Sequence, residues 1–73
     1  MTFNDWVDDV GGIKPAADLL GEKPRSVRSW YHAERAPRQR SAKNIIEKSG
    51  YRVDWSGIYQ PIETARVKAE APA

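Results

Sequence analysis

A chain of 73 residues, 40% apolar and 30% charged, suffices for one small domain and has an ordinary globular composition. The absence of cysteine excludes a disulfide framework and a thiolate zinc site, and a single histidine excludes most imidazole-based metal sites. No apolar run approaches the ~20 residues of a membrane span and no secretory pattern opens the chain, so a cytoplasmic location is expected.

The net charge of +2 conceals a strong asymmetry. Residues 1–22 carry Asp5, Asp8, Asp9, Asp18 and Glu22 against Lys14, a net charge of −4. Residues 23–52 carry nine bases against Glu34 and Glu47, a net charge of +7, and seven of the nine fall between 23 and 43. Several are arginine, the side chain best suited to phosphate and guanine. A membrane surface fits less well, because the basic stretch is broken by two prolines and has no long apolar face.

Glycine and proline cut the chain into five segments with apolar residues at helical spacing. Thr2 and Asp5 form a near capping box ahead of Phe3, Trp6, Val7 and Val10, which share one helical face ending at Gly11. Ile13, Ala16, Ala17 and Leu20 repeat the pattern, Pro15 is tolerated in the first turn, and Gly21 ends the helix. Pro24 opens a third helix whose inner face is Val27, Trp30 and Tyr31. Pro37 opens a fourth, with Ala42, Ile45 and Ile46 inward and Gly50 as the stop. Asp54 caps a short fifth helix carrying Trp55, Ile58 and Tyr59, which Pro61 is expected to break. Tyr51-Arg52-Val53 is too short to build a sheet, and residues 62–73 read as a flexible tail after a domain spanning 1–61.

The informative segment is GIKPAADLLGEKPRSVRSWYH, residues 12–32. Two helices crossing steeply at a tight turn need a very small residue at the crossing, a residue tolerant of positive φ in the turn, and an aliphatic followed by a larger residue on the second helix. Ala17, Gly21, Val27 and Trp30 meet those needs at the spacing of a helix-turn-helix. On the opposite side of the second helix, Arg25, Arg28, Ser29 and His32 form a stripe free of acids. Arginine there can bond guanine in the major groove and serine can bond base or phosphate, so these four are the candidate base-reading residues. Lys14, Lys23, Arg38, Arg40 and Lys43 are the candidate phosphate contacts.

This segment, with VGG at residues 10–12, ADLLG, SVRSW and the basic ERAPRQRSAKNIIEKSG in the same order, resembles the Cro and CI family of phage repressors over residues 3–60. The resemblance implies an all-α, lambda-repressor-like DNA-binding domain of about five short helices. It implies a Cro-like transcriptional regulator of a phage or prophage, repressing by occupying an operator. Glu22 departs from the family, which usually has an apolar residue there, so either its carboxylate faces solvent or the turn is looser than usual. Pro24 stands where the family has a serine or threonine cap, so Lys23 is left as a weak cap or the helix starts one residue later.

One reading helix per chain spans few base pairs, so a homodimer on a two-fold operator is expected. Trp55, Ile58 and Tyr59 serve either to cover the core or to make the dimer contact. Trp6 and Trp30 are expected in the core rather than stacked on bases, and Asp5 and Asp9 as solvated acids rather than metal ligands. No catalytic set is present, and no cofactor or small-molecule substrate is expected. The alternative to DNA binding is a protein-interaction module, antitoxin-like or antirepressor-like, using the same helices as a scaffold.

Overall fold

The computed structural model describes residues 1–70, with side chains through Arg66. It contains five helices and, among the described residues, no strand: α1 Phe3–Asp9, α2 Ile13–Leu20, α3 Pro24–Tyr31, α4 Gln39–Lys48 and α5 Trp55–Glu70. The all-α architecture expected from the periodicity is therefore present. The α2–α3 pair, joined by residues 21–23, is compatible with a helix-turn-helix.

Local chemistry accounts for the helix ends. The Thr2 side chain accepts from the Asp5 amide at 3.1 Å and starts α1. Gly21 adopts φ +67 after α2, which lets the Glu22 amide reach back to the Ala17 carbonyl at 3.0 Å. Similar six-residue closures end α1 (Gly12 N to Val7 O, 2.9 Å) and α4 (Tyr51 N to Ile46 O, 2.9 Å).

α2 packs against α1, α3 and α4, most extensively against α3, while α5 lies on α4. Ala16, Ala17, Val27, Ala42 and Ile45 are fully buried where these helices meet. Phe3 sits between Trp6 and Trp30, with ring centroids 6.2 and 6.1 Å away. Both tryptophans are core residues, as expected. Two asparagine amides lock the bundle: Asn44 Nδ2 donates to the Leu20 carbonyl at 2.8 Å, and Asn4 Nδ2 to the Tyr31 carbonyl at 2.9 Å. Each satisfies a last-turn carbonyl of another helix, leaving the C-terminal ends of α2 and α3 held from outside.

Three expectations need correction. Pro37 does not open α4: Arg38 is still extended at φ −67, ψ 160, and the helix begins at Gln39. The Pro37 carbonyl instead accepts from the Tyr59 hydroxyl at 2.9 Å, tying the α3–α4 connection to α5. Pro61 does not break α5, which runs through it to Glu70. The ring removes the N–H that would bond the Gly57 carbonyl, but Ile58 and Ile62, four residues apart on one face, are both buried and hold the helix across the gap. The folded unit thus extends past residue 61; of the expected tail, residues 71–73 lie outside the described residues. Of the two roles open to Trp55, Ile58 and Tyr59, core cover is met by Ile58 (1% exposed), Tyr59 is bonded to Pro37, and Trp55, at 45%, presents apolar surface. Its indole stacks on the Tyr59 ring at 6.1 Å and 4°.

Candidate nucleic-acid interface

α3 has two sides. Val27 and Trp30 face the core, while Arg25, Arg28 and His32 are exposed and Ser29 is half-exposed. Lys23 occupies the N-cap position without a side-chain cap bond, and Pro24 takes the first helical position. That realises the weak-cap alternative rather than a later start. The far end closes on Ala33, which adopts φ +59. Its amide donates to the Trp30 carbonyl at 3.2 Å, and the amides of Glu34 and Arg35 both converge on the Ser29 carbonyl at 2.9 and 3.3 Å. The chain leaving α3 is therefore bonded back to the helix that would do the reading.

The predicted residues are brought together in part. Arg25, Ser29 and Arg38 line one groove of about 620 Å3 between α3 and the start of α4. Arg38, Arg40 and Lys43 line a second, of about 710 Å3, between the turn after α2 and α4. The two grooves share Glu22, Arg38 and Ser41. Arg28, Lys14 and Lys23 are exposed but line neither groove. His32 lies elsewhere, in a cleft with Phe3, Tyr31 and Ile62 between α1 and α5, its ring edge-on to Tyr31 at 5.2 Å.

Two groups escape sequence reasoning. Arg35 joins Arg25 and Arg38 in the first groove, placed there by the turn at Ala33. A positive φ at alanine leaves no signal in the sequence, so that turn could not be foreseen. The α3 stripe itself carries no acid, but Glu22, half-buried, and Glu34, from the segments before and after the helix, line the same groove as Arg25 and Ser29. None of these charged groups is paired; among the described residues the one ion pair is Arg52 with Asp9, at 3.0 Å and half-exposed on both sides. Such a pair contributes less than about 1 kcal/mol.

Tyr31 is the last residue of α3. The Tyr31 hydroxyl donates to Asp8 Oδ1 at 2.9 Å. That bond first, then the Asp8 charge, desolvation and the charge of Asp5, raises the phenol above its ordinary value of 10.0. Among the described residues no group of His, Cys, Asp and Glu could hold a metal ion, and no helix is long and apolar enough to cross a membrane.

Comparison with known protein families, with curated proteins and with solved structures finds no match to this chain.

Proposed function

We propose that the protein is a sequence-specific double-stranded DNA-binding transcriptional regulator, a Cro-like repressor acting by operator occupancy. The observation that carries this reading is the exposed Arg25, Arg28 and Ser29 face of α3, with Arg38, Arg40 and Lys43 exposed on the neighbouring helix start. Phosphate contacts from the flanking bases supply affinity and hold α3 in register, while α3 reads base edges in the major groove. The mechanism is steric: a bound protein excludes polymerase or a competing regulator from the site. Pairing of two chains on a two-fold operator supplies the length of sequence that one short helix does not read.

Selection of bound duplexes from a random pool tests the class, and an inverted-repeat consensus is the expected result. With that duplex in hand, Arg28→Ala is expected to weaken the selected site by about 1–3 kcal/mol, the value of a bidentate arginine–guanine pair, and to change random-sequence binding much less. Equal losses on both duplexes make Arg28 a phosphate contact. Absence of any salt-dependent retention on duplex DNA transfers the reading to a protein-interaction module.

A further inference from the structure

We propose that the groove between α3 and the start of α4 is a binding site for a small phosphate-bearing ligand of the nucleotide class, whose occupancy competes with duplex DNA. The site goes beyond the DNA-binding reading and rests on it only for the competition.

Three arginines line this groove from three different elements: Arg25 from α3, Arg35 from the connection and Arg38 from the residue capping α4. None makes a hydrogen bond or ion pair with another described side chain, which leaves their fork-shaped donors available to an oxyanion. Ser26, Ser29 and Ser41 line the same groove, and serine hydroxyls are neutral donors. The connection that carries Arg35 is fixed to α3 by the two amide bonds to the Ser29 carbonyl, which pre-organises the backbone and reduces the ordering needed on binding.

The two carboxylates distinguish a bare phosphate backbone from a ligand that carries hydrogen-bond donors. Glu22 and Glu34 share the groove with the arginines yet pair with none of them. A phosphate backbone running through the groove offers carboxylates only repulsion, since it carries no donors; in a duplex only the base edges supply them. A small ligand with a phosphate and separate hydroxyl or amino donors satisfies both signs of charge. The groove, at about 620 Å3, falls within the roughly 300–1,000 Å3 range of small-molecule sites. Trp30 and Ala36 contribute apolar lining. Arg25 and Ser29 belong both to this groove and to the outer face of α3, so a bound ligand withdraws them from DNA.

The test is an amide-resolved NMR titration of the full chain with adenosine 5′-monophosphate at constant ionic strength, with inorganic phosphate and adenosine as parallel arms. Saturable shifts of Ser26, Ser29, Ser41 and the Trp30 indole N–H are expected with the nucleotide, weaker ones with phosphate and none with adenosine. Arg35→Gln is expected to weaken the nucleotide about tenfold, the loss of one charge-assisted contact. Lys48→Gln, an exposed base outside the groove, is expected to leave it unchanged. Glu34→Gln is expected to weaken the nucleotide relative to phosphate. In a second measurement the nucleotide displaces bound duplex from the wild-type chain and much less from Arg35→Gln. Nucleotide shifts no larger than those from phosphate, or equal strengthening of both ligands by Glu34→Gln, overturn the proposal in favour of general anion attraction. Groove shifts with no duplex binding remove the DNA reading and leave the ligand site; duplex binding with no groove shifts does the reverse.

Discussion

Ala33 occupies the left-handed region at φ +59, directly after α3, where glycine is the residue without a steric cost. The strain is held by three bonds back into the helix, from Ala33 to Trp30 and from Glu34 and Arg35 to Ser29. Relief of that strain exceeds the extra backbone freedom glycine brings to the unfolded chain. Ala33→Gly is therefore expected to stabilise the fold by about 0.5–1 kcal/mol in denaturant unfolding. Loss of stability would show the turn to be unstrained. Tyr31 offers a second residue-scale measurement. Its folded-state pKa lies above the unfolded 10.0 because the neutral hydroxyl bonds Asp8 and a phenolate would face that carboxylate. The stabilising contribution is complete below the unfolded value and disappears as pH rises through the folded value. Ultraviolet titration of the phenols is expected to show one group ionising above 10.0 in the wild-type chain, and Asp8→Asn is expected to bring it down. A profile untouched by that substitution would mean the bond is not formed in solution.

At the scale of the element, α5 is the helix whose local sequence and tertiary setting disagree. Pro61 sits inside it, and a proline in a helix interior costs about 3 kcal/mol relative to alanine. Burial of Ile58 and Ile62 on the same face, and the Tyr59 bond to Pro37, compensate for that cost. Gly57 lets the start of α5 approach the N-terminal residue so closely that a Cβ there would collide with the Met1 carbonyl oxygen. Pro61→Ala restores the missing N–H toward the Gly57 carbonyl and is expected to add about 1–3 kcal/mol of stability together with helical circular dichroism. An unchanged or lower melting temperature would show that the proline ring itself packs productively in the clefts on either side of α5, both of which it lines.

The whole molecule separates its charges, with Asp5, Asp8 and Asp9 exposed on α1 and Arg25, Arg28, Arg38, Arg40 and Lys43 exposed on α3, on the residue before α4 and on α4 itself. The proposed two-chain complex requires two copies of α3 one DNA turn apart, about 34 Å centre to centre. If each chain neutralises three or four phosphates, log K against log salt is expected to fall with a slope of about −5 to −7 for a two-chain complex. Titration of a defined operator at several salt concentrations gives stoichiometry and slope together. One chain per site with a slope shallower than about −2 would exclude the two-chain operator complex. A pairing surface near the α5 start would draw on Tyr51 and Trp55, which are exposed, and not on Ile58, which is interior.

What the sequence determined by itself is whatever short-range patterning encodes. Ala16, Ala17 and Leu20, then Val27 and Trp30, mark the inner faces of α2 and α3 because helical spacing alone puts them on one side. Thr2 and Gly21 mark helix ends because capping and a left-handed turn need their particular side chains or the lack of one. The outward stripe of Arg25, Arg28 and Ser29 follows from the same periodicity. Tertiary structure decided the rest. Continuation of α5 through Pro61 depends on burying Ile62, a contact that no local propensity contains. The tie between the α3–α4 connection and α5 depends on Tyr59, 22 residues away, bonding the Pro37 carbonyl. The meeting of Arg35 with Arg25 and Arg38, and of Glu22 and Glu34 with all three, depends on a strained alanine and on packing between helices distant in sequence. Periodicity specifies which side of a helix faces inward; which outward-facing groups become neighbours is set only when the helices pack.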